Sequence, residues 1–104
     1  RPVLTVDESM VPEVFALHQN YPNPFNPTTT INYDIPESQF VSIMIYDIMG
    51  REVRSLVNEF QEVGYRSVRW DATDNFGRVV SAGMYVYTIQ AGDFRQVRKM
   101  VLLK

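Results

Sequence analysis

Histidine is the side chain most often used to move protons near neutral pH, and this chain has a single one, His18. A nucleophilic triad needs such an imidazole held against a hydroxyl and a carboxylate. His18 lies in a linker-like stretch with nothing to hold it rigid, so a surface histidine is expected. Zinc takes three or four ligands from His, Cys and carboxylates, and a chain with one His and no Cys offers too few. Asp71, Asp74 and Asn75 bring oxygen ligands into one segment. A calcium loop of the EF-hand type, however, spaces its ligands alternately and closes on a bidentate Glu, and that pattern is missing. Turn formation explains these residue types without a metal. Glu52, Glu59 and Glu62 lack a partner that would make an acid–base pair, and the glycines are dispersed instead of forming a phosphate cradle. Arg95, Arg98 and Lys99 lack the exposed aromatic spacing of a nucleic-acid platform. The expectation is a domain with no catalytic residues, no metal, no cofactor and no nucleic-acid partner.

The elements around these residues read as strands. From Gln39 to Val53, Val41, Ile43 and Ile45 alternate with Ser42, Met44 and Tyr46, which puts one aliphatic stripe on one face. Asp47-Ile48-Met49-Gly50 reads as a turn, with Asp accepting local N–H bonds and Gly tolerating the left-handed geometry that follows. Arg51-Glu52-Val53 then starts a return strand, which makes this hairpin the centre of the fold. Val53, Leu56, Val57 and Phe60 also fit a short helix over Arg51 to Gln61, but strands on both sides favour a strand ending near Val57. Thr29, Ile31, Tyr33 and Ile35 define a strand before the hairpin. Val68 and Trp70 define one after it, with a brief extended piece at Val79-Val80. Tyr85, Tyr87 and Ile89 mark another strand, and Gly92-Asp93 suits a type II′ hairpin into a last strand from Phe94 to Lys104. Val97 falls out of step with Phe94, Met100 and Leu102 there, which predicts a bulge.

Tyr21-Pro22-Asn23-Pro24-Phe25-Asn26-Pro27 cannot be helix or central strand, because three prolines remove three donors and fix three φ angles. It reads as a rigid strap over one end of the core, anchored by Tyr21 and Phe25. Residues 1–14 read as an accessible, cleavable linker and residues 15–104 as one domain, with Val14, Phe15 and Leu17 able to pair with an edge or tuck under the sandwich. The fold class is all-β: an immunoglobulin-like antiparallel sandwich of about seven strands. Trp70, Tyr85 and Tyr87 are its expected large anchors, each buried Tyr hydroxyl needing a backbone partner.

A chain of 104 residues supports one core, and its lack of cysteine rules out disulfides and thiolate metal sites. The net charge of −2 is too small to imply a polyanion partner. It divides unevenly, with −6 over residues 1–64 and +4 over residues 65–104. Solvated strand faces account for this, with a basic patch for an acidic receptor as the sharper reading. No apolar run approaches the roughly 20 residues of a membrane helix, so a chain not embedded in a membrane is expected. Beginning at Arg1 with no basic-then-apolar signal, it reads as the C-terminal module of a longer protein. The last residues remain strongly strand-forming to the terminus, and an edge strand there can pair with another protein.

Several of these motifs resemble a known family. The Tyr21 to Thr29 segment, Ile45-Tyr46-Asp47 with Gly50-Arg51-Glu52-Val53, Trp70-Asp71, Gly77, Gly83, Tyr85 and the final Lys99-Met100 resemble the type A C-terminal sorting domain of the type IX secretion system. The Trp-Asp…Gly…Gly-x-Tyr part is similar also to the immunoglobulin-like domain of flagellar hook-capping proteins. The first resemblance implies an address carried by a cargo domain N-terminal to it in the same polypeptide. That address is read by outer-membrane secretion machinery after periplasmic transit and is commonly removed by a surface sorting peptidase. Carried onto this chain, the recognition elements are Gly50 and Arg51, Gly83 and Tyr85, and Lys99, Met100, Val101, Leu102, Leu103 and Lys104. Cleavage falls before about Phe15, leaving cargo on the surface or released. Met49 and Met84 stand where smaller aliphatics are frequent in the family, a departure that leaves the fold intact. The second resemblance implies an alternative, a structural accessory or assembly module of a surface protein.

Overall fold

The computed structural model describes residues 11–103. The part of the expected linker over residues 1–10, and the terminal Lys104, lie outside the described residues. Seven strands follow one another: β1 (Ala16–Leu17), β2 (Thr29–Ile35), β3 (Gln39–Asp47), β4 (Glu52–Gln61), β5 (Gly64–Trp70), β6 (Gly83–Ala91) and β7 (Phe94–Leu102). They form two antiparallel sheets, ordered β1-β2-β5 and β4-β3-β6-β7, with no helix among the described residues. The result is the expected all-β sandwich.

Alternation builds the core. Ile31, Tyr33 and Ile35 of β2 face Val41, Ile43 and Ile45 of β3, and all six are fully buried. Burying each aliphatic side chain contributes about 1.5–3 kcal/mol. At one end Trp70 lies between the rings of Phe25, 5.7 Å away, and Tyr85, 5.3 Å away in an edge-on contact. Both expected tyrosine anchors find backbone partners. Tyr85 donates from its hydroxyl to Ser81 O at 2.6 Å, and Tyr87 donates to His18 O at 2.7 Å.

Three sequence readings change. β4 does not stop near Val57 but runs to Gln61, because β3 is long enough to pair it through Gln39↔Gln61. Its helix-like spacing has a different origin. The β3–β4 register shifts between Ile43 and Met44 and again between Ile45 and Tyr46, leaving Leu56 and Val53 as extra residues on β4. Both bulged residues pack partly against the core, so apolar side chains fall outside a strict two-residue repeat. The bulge expected in the last strand is absent, since β6 and β7 pair without interruption from Gly83↔Leu102 to Ala91↔Phe94. Val97 simply faces outward, 61% exposed. Finally, Val79 forms only an isolated bridge to Thr73, and the seventh strand is β1, paired to Asp34 and Tyr33 of β2. The Gly92-Asp93 hairpin forms as expected, with positive φ at Gly92 alone of the two (61°).

Candidate functional site

Two turns at one end of the sandwich share a design that the sequence reading did not pair. Asp47-Ile48-Met49-Gly50-Arg51 and Asp74-Asn75-Phe76-Gly77-Arg78 both read Asp-x-x-Gly-Arg. In the first, Asp47 Oδ1 accepts from Met49 N at 2.9 Å and Arg51 N at 3.0 Å, while Arg51 Nε donates to Oδ2 at 2.8 Å. In the second, Asp74 Oδ1 accepts from Phe76 N at 2.9 Å and Arg78 N at 3.0 Å, and Arg78 Nε donates to Oδ2 at 3.1 Å. Gly50 and Gly77 take the same left-handed conformation, φ 83° and 81°. Backbone N–H bonds from Arg51 and Arg78 respectively, with the other contacts of each turn, hold both carboxyls below the usual carboxylate range. The repeated pentapeptide was the available signal.

The second turn also covers an edge. Asn75 N donates to Val53 O at 2.9 Å and Ser55 N donates to Asn75 Oδ1 at 2.9 Å, so the loop pairs with β4 where that strand has no other neighbour. The side-chain oxygens of Asp74 and Asn75 and one oxygen of Asp71 thus make local bonds. Asp71 Oδ1 accepts from Thr73 Oγ1 at 2.5 Å, and that bond is the main cause of its lowered pKa.

The residues that the family resemblance nominates converge on the same end. Tyr85 pairs with both Asp47 and Met100, and Gly83 pairs with Leu102. Asp47, Met49, Arg51, Gly83 and Tyr85 line one groove of about 430 Å³. The nominated set splits by exposure, however. Tyr85, Met100 and Leu102 are core residues, Val101 is half-buried, and Gly50, Arg51, Gly83, Lys99 and Leu103 are exposed. Among the described residues of this set, a partner can touch the exposed group and part of Val101 without opening the fold, but not Tyr85, Met100 or Leu102.

The strap docks against this end too. Phe25 is buried and pairs in parallel with Leu102: Phe25 N donates to Val101 O at 3.0 Å and Leu103 N donates to Phe25 O at 2.8 Å. Val101 N donates to Asn23 Oδ1 at 2.9 Å, and Gln19 Nε2 donates to Lys99 O at 2.8 Å. The terminal stretch of β7, expected as a pairing edge, therefore already has its outward backbone groups at Val101 and Leu103 N bonded by the strap, and Lys99 O by Gln19 just before it. Tyr21 is not the second anchor expected. It pairs with Thr30 through its backbone, and its ring is 79% exposed. The missing anchor is polar. Asn20 is buried, donating from Nδ2 to Thr29 Oγ1 at 2.9 Å and Pro22 O at 3.2 Å, and from its backbone N to the Tyr87 hydroxyl at 2.8 Å. Burial pushes the Tyr87 phenol up, against the opposing effects of the Asn20 bond and Arg98. A lone Asn beside Tyr-Pro carries no sequence signal for such a role. His18 is half-exposed, as expected, with Nε2 2.9 Å from Asp34 Oδ2 at the margin of the three-stranded sheet.

The chain matches the model of the secretion system C-terminal sorting domain family over residues 19–103. Among solved structures it is similar to dimeric latent PorU from Porphyromonas gingivalis, with 22% identity, a TM-score of 0.68, and coverage of 91% of this chain and 10% of that one. PorZ, an essential surface component of the type IX secretion system of the same bacterium, aligns at 21% identity and TM-score 0.60, over 85% of this chain and 11% of that one. FlgD from P. aeruginosa aligns at 21% identity and TM-score 0.57, over 76% of this chain and 67% of that one. This chain thus spans about a tenth of the length of the two P. gingivalis proteins. A comparison with curated proteins gives no match. These structural likenesses establish a shared fold, and the family match over most of the sequence establishes more: the chain belongs to the C-terminal sorting domains of the type IX secretion system.

Proposed function

We propose that this domain is the address of a longer exported polypeptide and performs no reaction itself. Its folded body is read by outer-membrane secretion machinery after periplasmic transit. A surface sorting peptidase then separates it from an N-terminal cargo domain, which stays on the cell surface or is released. Support comes from the convergence at one end of the sandwich of the Gly50-Arg51 turn, the Gly83 to Tyr85 segment and the end of β7. Of the nominated residues, Gly50, Arg51, Gly83, Lys99, Leu103 and Lys104 make the contact. Tyr85, Met100 and Leu102 hold the end in shape, and the buried strap fixes the path of the terminal strand. Cleavage falls before Phe15, a boundary supported by the stacking of that ring on Phe94 at 5.3 Å. The test fuses residues 1–104 behind a periplasm-targeted passive cargo in a host with the secretion system. Cargo outside the cell, ending N-terminal to Phe15 by mass spectrometry, is expected. Cargo retained in the periplasm contradicts the reading.

A further inference from the structure

Antiparallel sheets with one solvated face turn polar side chains outward. The four-stranded sheet departs from this along β3, β6 and β7. Their register sets Met44 beside Thr88 and Val97 in one row. Tyr46, Val86 and Lys99 form the next, and Met84 with Val101 carries the apolar surface to the end where the candidate site lies. Val97 and Met84 are 61% and 46% exposed. None of the outward-facing side chains of these three strands is a carboxylate, although the chain is net negative. Arg95 and Lys99 project from β7 on this side and are exposed. The outer face of the three-stranded sheet, by contrast, carries polar groups such as Asn32, Asp34 and Ser67.

Three strands spaced about 4.8 Å apart, each nine residues long at roughly 3.4 Å per residue, make a face of about 400 Å². That area is shared between the apolar side chains and Ser42, Thr88, Gln90, Arg95 and Lys99. It is well below the roughly 800 Å² per partner of a standard stable complex, so the contact it supports is brief. A two-fold dimer through these three strands would oppose Arg95 and Lys99 of both copies, while Glu52, opposite Tyr46 on neighbouring β4, is tied to Asn75 Nδ2 at 3.1 Å, which disfavours a second copy. Resting on the sorting function proposed above, we infer that this face docks the outer-membrane secretion machinery, through a partner surface with an apolar centre flanked by carboxylates.

The cargo fusion tests this with Arg95→Glu and, separately, Val97→Asn. Both variants are expected to keep the wild-type unfolding midpoint within a few degrees and to lower the cargo exported at least tenfold. Tyr65→Glu on the other sheet should export like the wild type. Binding of the purified domain to detergent-solubilised secretion machinery should weaken with added salt and weaken further in Arg95→Glu. Should Arg95→Glu unfold, Val97→Asn decides alone. Wild-type export by the folded variants, salt-independent binding, or a stable dimer through this face overturns the inference while leaving the sorting function standing. If the unaltered fusion is not exported, the sorting function fails and takes this inference with it.

Discussion

At the scale of single residues, what fixes the candidate end of this domain is polar satisfaction. Tyr87 joins the four-stranded sheet to the segment leading into the strap by accepting from Asn20 N and donating to His18 O. Tyr87→Phe removes both bonds and strands the N–H of a buried residue, so a loss of about 1–3 kcal/mol is expected. Urea unfolding should report it as a lower midpoint at unchanged slope. Asp47 and Asp74 make a second, pH-dependent statement. Their folded pKa values lie below the ordinary 3.8, so whatever stability they contribute is present above that pH and lost as pH falls through the lower folded values. In NMR titrations the amides of Met49, Arg51, Phe76 and Arg78 should shift together, with midpoints below 3.8; midpoints at or above it contradict the twin-turn account. Asp47 was legible in the sequence as a turn former because Asp at the first position and Gly at the fourth have local reasons to be there. Asn20 was not legible, since its role depends on a hydroxyl 67 residues away.

Among the elements, β2, β3 and β6 were readable because each buries one face and exposes the other, which strict alternation encodes. β4 was harder. Two bulges leave Val53 and Leu56 packed partly against the core, with a spacing that mimics a helix. Sequence periodicity cannot separate these cases, because the bulges are set by pairing with β3. The outward Val97 misled for a related reason: an apolar residue on the solvent side of β7 imitates a slip in register. The strap's kinked path was legible from its prolines, but not which aromatic it buries. Phe25 fills the space beside Trp70 and ties down the end of β7. Phe25→Ala should cost about 3–5 kcal/mol. It should also raise amide exchange at Leu103, whose N–H donates to the Phe25 carbonyl, before the centre of β6 exchanges. Loss of protection at both places together would mean that the strap does not open as a separate unit.

For the whole molecule, the sandwich brings segments distant in sequence to one end: the turn after β3, the start of β6, the last residues of β7, and a strap lying 78 residues upstream of its partner Val101. The resemblance had nominated those segments without saying that they meet, since only the closed topology joins them. Among the described residues no cluster of three His, Cys, Asp or Glu side chains could hold a metal ion. That end carries exposed backbone turns, Arg51 and a held terminal strand, the features on which the proposed recognition rests. The most direct test compares export of a passive cargo carrying the intact domain with export of the same cargo lacking Lys99 to Lys104. The intact fusion should appear outside the cell and the truncated one should remain in the periplasm; equal export of the two would contradict the claim that the terminal strand is required for sorting.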